Sequence, residues 1–243
     1  MSGPSKLGIA SSLRRTSEGG HAALAAEIAD CRRCPRLVAW REQVAREKRA
    51  SFAHETYWGR PIPGFGDLSA RLLVLGLAPA AHGANRTGRV FTGDRSGDFL
   101  YAALHRAGYA NQPEAYALDD GLELRDCFVT AAVRCAPPAN KPLPSEKAAC
   151  ADWLERELAL LPDVRVVLCL GQFAWNAALT TPAVYGGPAP RPRPAFGHGA
   201  EHPAASGATL LGCFHPSQQN TFTGKLTPAM IDAVMARARD LAA

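Results

Sequence analysis

The sequence lacks any hydrophobic run long enough to cross a membrane as a helix. No stretch approaches the roughly 18 consecutive apolar residues that a membrane span needs. The first twenty residues also lack the apolar segment and small-residue cleavage site of a secretory leader. We therefore expect a cytoplasmic protein without a membrane partner. Its seven cysteines are then core residues or metal ligands rather than disulfides, because thiols stay reduced there.

Repeats, long linkers and an extreme composition are also lacking. Of 243 residues, 47% are hydrophobic and 20% charged, and only seven are cysteine, which excludes a disordered chain, a coiled coil and a small disulfide scaffold. The 22 glycines and 19 prolines predict many loops. A net charge of +5 is compatible with DNA or RNA as a partner, although many basic proteins never bind nucleic acid.

Four short apolar runs alternate with amphipathic stretches along the chain. The runs are ARLLVLGLAP, CFVTAAVRC, VRVVLCLG and ATLLGCF. Continuous apolar runs are typical of buried parallel strands. This order predicts an α/β fold: a single domain, residues 21–243, with a central, mostly parallel four-stranded sheet flanked by helices. Residues 1–20 are rich in Ser, Gly and Arg, and we expect them to form a mobile tail.

The cysteines divide into two sets. Those inside apolar runs, which we expect to be small core residues, are Cys127, Cys169 and Cys213. Those at the ends of elements or beside Pro-rich loops are Cys31, Cys34, Cys135 and Cys150. Four thiolates suit one zinc ion or one iron–sulfur cluster. The single CxxC, with fourteen residues between the second pair, favours a cluster over zinc.

Polar groups follow three of the predicted strands. A Gly-rich loop after the first strand ends at Asp94, just before a helix, and it matches neither common nucleotide-binding motif. His215 ends the last strand, and Asn140 and Lys141 follow the second. Each has an ordinary structural interpretation, which for Asp94 is a carboxylate at a helix N-terminus. A carboxylate, an imidazole and an amide at one sheet edge together predict an acid–base or leaving-group site.

These motifs together resemble the uracil-DNA glycosylase superfamily. GLAPA after the first strand, HPSQQNTF after the last and the four cysteines match its iron–sulfur branch, families 4 and 5. Three departures favour family 5, the type-b enzymes. Leu77 stands where family 4 has a Glu, Ala131 where it has a uracil-reading Asn, and the loop reads HGANRTGRVFTGD. The resemblance runs from Cys31 to the final helix.

The resemblance implies a hydrolase that flips uracil out of double-stranded DNA and leaves an abasic site without a lyase step. It implies that Asp94 stabilises the sugar cation or orients water, that His215 donates to the base oxygen and that Asn140 helps to place water or substrate. The implied substrate-binding residues are Gly76, Leu77, Ala78, Pro79, Ala80, Phe91, Ser217 and Asn220. Phe91 would stack on the flipped base, and the loop Ser217–Gln218–Gln219–Asn220 would enter the minor groove.

A structural 4Fe–4S cluster is also implied, with the ligands Cys31, Cys34, Cys135 and Cys150. Without the Glu and Asn of family 4, the pocket has fewer polar groups that a wrong base leaves unpaired, so we expect hypoxanthine and 5-hydroxymethyluracil to be removed too. Cations in or near the loops that are candidates for phosphate contacts are Arg86, Arg89, Arg95, Lys141 and Lys225. We expect the enzyme to act as a monomer.

Two alternatives stay open at this point. The first is a superfamily member that crosslinks covalently to uracil-DNA through a histidine. His82 lies near the relevant position, but AHGANRTGR lacks the basic insertion of such relatives. The second is a zinc-bound, non-enzymatic nucleic-acid-binding module, in which Asp94 and His215 are merely structural.

Overall fold

The computed structural model describes residues 6–243, with side chains from residue 18 onward. Its centre is a six-stranded sheet with the strand order β1-β3-β2-β4-β6-β5. The four inner strands, which are mutually parallel, are β2 Leu72–Gly76, β3 Cys127–Ala131, β4 Val166–Leu170 and β6 Thr209–Cys213. They coincide with the four predicted runs, which confirms the α/β fold and the parallel core of the sheet.

Two short antiparallel strands extend the predicted four-stranded sheet to six. They are β1 Phe65–Gly66 beside β3 and β5 Glu201–Pro203 beside β6. Segments of two and three residues carry no readable hydrophobic period, so tertiary pairing alone fixes them. Both cover the edges of parallel strands, whose backbone groups would otherwise be exposed.

Helices pack on both faces of the sheet. In chain order they are α1 Lys6–Ala29, α2 Pro35–Glu47, α3 Ala84–Thr87, α4 Arg95–Arg106, α5 Pro144–Leu158, α6 Gln172–Thr180, α7 Pro182–Tyr185, α8 Gln218–Phe222 and α9 Pro228–Ala242. Leu72 and Val74 of β2 face the core that α4 and α9 cover, whereas Leu73 and Leu75 face the core under α6. This alternation explains why the inner strands are apolar on both faces.

The N-terminal part differs from the expectation in one element. Helix α2 was not predicted; it begins with a proline in its first turn, directly after Cys34. Helix α1 runs through residue 20, where we placed the boundary between tail and domain. The mobility of residues 1–20 stays a prediction, and residues 1–5 lie outside the described residues. No helix in the described part is long and apolar enough to cross a bilayer.

The Pro/Gly-rich segment 186–207 lies along the open side of β6. Gly199 donates its N–H to the carbonyl oxygen of Gly212 at 2.7 Å, and Gly212 donates to the carbonyl oxygen of Ala200 at 2.8 Å. A Cβ at Gly212 would lie 2.2 Å from the carbonyl oxygen of Gly197, so only glycine allows this close approach. The segment therefore covers the sheet edge.

Candidate active site

The loop after β2 closes around the ring of Phe91. A Cβ at Gly76 would lie 2.7 Å from two ring carbons of Phe91, and one at Gly97 would lie 1.8 Å from its carbonyl oxygen. Phe91 itself has a φ of 51°, in the left-handed region that non-glycine residues rarely adopt. Two glycines that leave no room for a Cβ and a strained backbone thus fix the half-buried residue Phe91 at the carboxyl end of β2.

Asp94 caps helix α4 with one carboxylate oxygen. Its Oδ1 accepts hydrogen bonds from the backbone N–H groups of Ser96 at 2.9 Å and Gly97 at 3.0 Å. Its Oδ2 lies over Gly83, where a Cβ would come within 2.0 Å of it. Burial raises the pKa of Asp94, and the two N–H donors oppose that shift. The structural interpretation of Asp94 therefore holds for Oδ1, while Oδ2 accepts no hydrogen bond from the described residues.

His215 follows β6 and lies beside Phe91, with 6.1 Å between the ring centroids. Asn220 donates from its side-chain amide to the carbonyl oxygen of His215 at 2.8 Å. On the other side, a Cβ at Gly171 would lie 3.2 Å from the Cβ of His215. Burial lowers the pKa of His215 to about 4. The imidazole is therefore neutral at neutral pH and carries one N–H to donate.

His198 supports this segment, and sequence analysis did not identify it. The backbone N–H of Phe214 donates to Nδ1 of His198 at 3.3 Å, and the two rings lie 5.0 Å apart. Burial lowers the pKa of His198, which favours the neutral form that can accept this bond. Because His198 lies in segment 186–207, only the tertiary pairing on β6 brings it next to the residue before His215.

The other predicted site residues take different positions. Asn140 is exposed in a 3₁₀ turn, Pro138–Asn140, with a φ of 55°, and no hydrogen bond within the described chain joins it to Asp94 or His215. Ser217 caps α8 by accepting from the backbone N–H of Asn220 at 3.4 Å. In this state Ser217 and Asn220 are therefore engaged in holding α8 and His215 rather than directed at a ligand.

The motif Gly76–Leu77–Ala78–Pro79–Ala80 is tied to the segment after β3. Ala132 donates its N–H to the carbonyl oxygen of Gly76 at 3.1 Å, and Val133 donates to that of Leu77 at 3.0 Å. Ala78 packs against the apolar cluster that contains Cys135 and Cys150. This motif and the cysteines are thus directly connected.

Two of the five candidate phosphate-binding cations are buried, which corrects that prediction. Arg89 is 3% exposed and pairs with the fully buried carboxylate of Asp120 at 2.6 Å. Arg86 is 8% exposed, pairs with Glu55 and donates to the carbonyl oxygen of Gly93 at 2.8 Å. Both hold loops in place. The cations that remain exposed are Arg95, Lys141 and Lys225.

The four cysteines predicted as ligands converge, although they come from distant parts of the chain. Cys135 and Cys150 belong to one buried cluster with Ile28, Val133 and Trp153, and the partly buried Cys31 and Cys34 pack against it. The other three cysteines are fully buried in strands, as expected of core residues. No three His, Cys, Asp or Glu side chains in the described residues are close enough together to hold a single metal ion.

The surroundings of these thiols test whether they fit an anionic cluster. Arg41, 2% exposed, donates to Sγ of Cys135 at 2.9 Å and to the carbonyl oxygen of Cys31 at 3.1 Å. No carboxylate in the described part of the chain pairs with it. A buried cation needs a compensating anion, which four metal-bound thiolates would supply. The donor set therefore fits an iron–sulfur cluster.

Comparison with known proteins decides the family. The family model described as "Uracil DNA glycosylase superfamily" matches residues 63–239. A type-5 uracil-DNA glycosylase of Mycobacterium tuberculosis is 56% identical over 90% of this chain and 81% of its own length. The corresponding values for the type-5 enzyme of Thermus thermophilus are 54%, 87% and 94%. This chain belongs to the type-5 uracil-DNA glycosylases.

A type-4 enzyme is similar to a smaller part of this chain. The type-4 uracil-DNA glycosylase of Archaeoglobus fulgidus is 32% identical over 46% of this chain and 49% of its own length. The assignment confirms the expected resemblance to family 5 rather than family 4. It also confirms a hydrolase that removes uracil from DNA, so the interpretation as a non-enzymatic zinc module is not supported.

Proposed function

We propose that this type-5 uracil-DNA glycosylase flips uracil from double-stranded DNA into the space between Gly76–Ala80, Phe91, Asp94 and His215. The observation that supports the proposal is that Phe91 lies next to the segments of both polar groups. Its carbonyl oxygen lies against Gly97, whose N–H donates to Asp94, and its ring lies 6.1 Å from that of His215. We infer that a base stacked on Phe91 would lie within reach of both groups.

The charges that develop while the N-glycosidic bond breaks indicate what Asp94 and His215 would each do. Positive charge grows on the sugar and negative charge on the departing base. The free Oδ2 of Asp94 would stabilise the cation or orient the attacking water. The neutral imidazole of His215 would donate a hydrogen bond to a base carbonyl oxygen, which stabilises the anion without full proton transfer. Asn140, on an exposed turn, would reach the substrate only when DNA is bound.

The side chains of Leu77 and Ala131, at the ends of β2 and β3, bear on which bases the site would accept. Ala131 is the residue of β3 paired with Gly76 of β2, and neither it nor Leu77 can hydrogen-bond a base through its side chain. We infer that hypoxanthine and 5-hydroxymethyluracil are accepted as well as uracil. The substitution A131N should narrow this range, with uracil removal retained and hypoxanthine removal reduced at least ~10-fold. Strict uracil specificity of the wild type would contradict the inference.

We also propose a structural 4Fe–4S cluster on Cys31, Cys34, Cys135 and Cys150. When bound, the cluster supplies four strong bonds that join α1 and α2 to the segment after β3. Arg41 would balance the negative charge of the cluster and its thiolates. Ala78 would connect the cluster to the Gly76–Ala80 motif by packing against the apolar residues around the cysteines.

The proposed chemistry is tested by single-turnover excision from a duplex with one uracil, followed by alkali to cleave abasic sites. Wild type and H215A are compared with C169A, a control whose altered side chain lies in the core under α6. A rate of abasic-site formation that is at least ~100-fold lower in H215A than in wild type, and unchanged in C169A, supports the role of His215. A protein–DNA adduct that survives denaturation would instead indicate the crosslinking alternative. His82 is engaged with the hydroxyl of Tyr57 at 3.1 Å, so we expect none.

A further inference from the structure

Arg86 is a buried cation in the Gly-rich loop, and the chemistry proposed above gives it no part. It lies in the short helix α3. Its Nε donates to the carbonyl oxygen of His82 at 2.9 Å, its Nη2 donates to that of Gly93 at 2.8 Å, and its Nη1 donates to the carboxylate of Glu55. The guanidinium carbon also lies 3.9 Å from the ring centroid of Phe52. Each of its nitrogens is thus engaged within the protein, so the guanidinium is not free to bind a phosphate.

The two carbonyl oxygens that Arg86 binds belong to the backbone segments that meet at Asp94. His82 directly precedes Gly83, and Gly93 directly precedes Asp94. A Cβ at Gly83 would lie 2.0 Å from Oδ2 of Asp94, so the two segments contact each other at the carboxylate. One planar guanidinium therefore joins the backbone on one side of this contact to the backbone on the other.

This contact bears on the carboxylate oxygen that the proposed chemistry uses. Oδ1 of Asp94 accepts the N–H groups of Ser96 and Gly97, whereas Oδ2 accepts no hydrogen bond from the described residues. The direction of Oδ2 then depends on the backbone of Gly83, which lies against it. Burial raises the pKa of Asp94, and the positive charge of Arg86 opposes that shift. Arg86 thus acts on the carboxylate both by position and by charge.

We propose that Arg86 is a positioning residue for base excision: it holds Gly83 against Asp94 and so keeps Oδ2 in the orientation that the reaction needs. The proposal rests on the proposed catalytic role of Asp94. Lysine cannot replace Arg86 here, because an ammonium group lacks the planar fork that reaches two carbonyl oxygens and a carboxylate at once.

The test is a double-mutant cycle of R86K and D94N, measured as the single-turnover rate of uracil excision at saturating duplex. R86K keeps the positive charge and loses the fork. We expect it to lower the rate about 10- to 100-fold, the cost of a misplaced reacting group, with DNA affinity unchanged. In the D94N background R86K should cause no further loss, because the carboxylate that Arg86 positions is already absent.

Three results would overturn the proposal. Losses that multiply in the double variant would show that Arg86 acts independently of Asp94, as a merely structural residue does. A wild-type rate of R86K would show that the fork is not needed. Weaker DNA binding with an unchanged rate at saturation is the result expected of a phosphate contact. A wild-type rate of D94N alone would instead show that the proposed role of Asp94 is wrong, and the positioning role would fall with it.

The matched control is R89K. Arg89 is buried in the same loop, but its guanidinium donates to Thr92 and Asp120 rather than to His82 or Gly93. Any loss that R89K causes should therefore multiply with that of D94N, as expected of residues that do not interact. Coupling of R89K to D94N as strong as that of R86K would show a general effect of the loop and would contradict a specific role of Arg86.

A milder variant, E55Q, tests the same contact if R86K does not fold. The Glu55 side chain is 46% exposed, so its replacement keeps the buried guanidinium and its two carbonyl partners. Because Glu55 anchors the third side of the fork, E55Q should lower the single-turnover rate ~3-fold, within the range for a partly exposed ion pair. This loss should vanish in the D94N background. An unchanged rate of E55Q, or a loss that persists with D94N, would count against the proposal.

Discussion

At the residue scale, Asp94 caps helix α4 and has a proposed chemical role, and one substitution separates the two. Asparagine caps helices as well as aspartate, so D94N should keep α4 and its melting temperature while removing the negative charge. We expect D94N to lower single-turnover excision about 10²- to 10⁴-fold, the range for loss of a positioned acid–base group. D94A should lose as much activity and also about 1 kcal/mol of stability. Wild-type activity of D94N would move the catalytic role elsewhere.

The pH dependence follows from the same site. In the proposed mechanism Asp94 acts as the anion, and burial raises its pKa. His215 acts there as the neutral imidazole, and burial lowers its pKa to about 4. As pH falls, Asp94 loses its charge and His215 gains one, so both protonations reduce the rate. The pKa of His215 lies well below 6.5, the ordinary value for histidine, so the imidazole adds no inflection there. The single-turnover rate should therefore fall as the pH is lowered, and a rate that is unchanged or rises toward acidic pH would contradict this assignment.

His198 is expected to act through His215. Its Nδ1 accepts the N–H of Phe214 at 3.3 Å, and this bond orients the peptide before the imidazole. H198N supplies an oxygen near the position of Nδ1, whereas H198A leaves the N–H unpaired. H198A should lower the single-turnover rate about 10-fold with little change in DNA affinity, and H198N should restore most of it. A role in stability alone would lower the melting temperature of both variants and leave their rates unchanged.

At the element scale, the loop between α4 and β3 depends on a buried ion pair. The Asp120 side chain is fully buried, pairs with Arg89 at 2.6 Å, and accepts N–H groups of Tyr116, Ala117 and Leu122. These contacts hold the pKa of Asp120 well below its usual range. D120N leaves the buried cation of Arg89 unpaired and should cost about 3–5 kcal/mol of unfolding free energy, measured by urea denaturation.

The control for D120N is an exposed pair. Arg237 and Glu201 join α9 to β5 at 2.7 Å, with side chains 48% and 35% exposed. Such pairs contribute about 0–1 kcal/mol, so E201Q should barely change the unfolding free energy. Equal effects of D120N and E201Q would show that burial of the Arg89–Asp120 pair adds no stability.

The strands and the strand ends could be predicted from the sequence, whereas contacts between distant side chains could not. The four inner strands were predictable because burial on both faces requires continuous apolar runs. The location of Asp94 and His215 at one edge of the sheet was predictable because the carboxyl ends of parallel strands share that edge; their chemical roles stay a prediction. Arg89 was mispredicted, since a cation in a Gly-rich loop has the same sequence pattern whether it faces phosphate or a carboxylate 31 residues away. His198 and Arg41 were not identified for a similar reason: their partners are fixed only by tertiary packing.

At the scale of the whole molecule, the cysteine cluster connects distant parts of the chain to the pocket. Cys31 follows α1, Cys34 begins α2, and Cys135 and Cys150 flank the turn that carries Asn140. Burial raises the pKa of Cys135 to about 11 and that of Cys150 to about 12. These thiols are therefore neutral unless a bound metal deprotonates them. The resulting thiolates would then compensate the buried positive charge of Arg41. Binding of the cluster and stability of the fold should be lost together.

The variant C31A tests this coupling in the full chain purified without oxygen. We expect loss of iron and of visible iron–sulfur absorbance, with a melting temperature at least about 10 °C lower, which at 2–4 °C per kcal/mol corresponds to ~3 kcal/mol or more. C169A, which shortens a buried side chain of β4, should retain iron and lose only about 1 kcal/mol. A C31A protein that is free of iron yet as stable and active as C169A would show that the four cysteines are merely core residues. Arg41 would then be a buried cation without a compensating charge, a state costly enough that R41M should stabilise the protein; with a structural cluster, R41M should instead weaken iron retention.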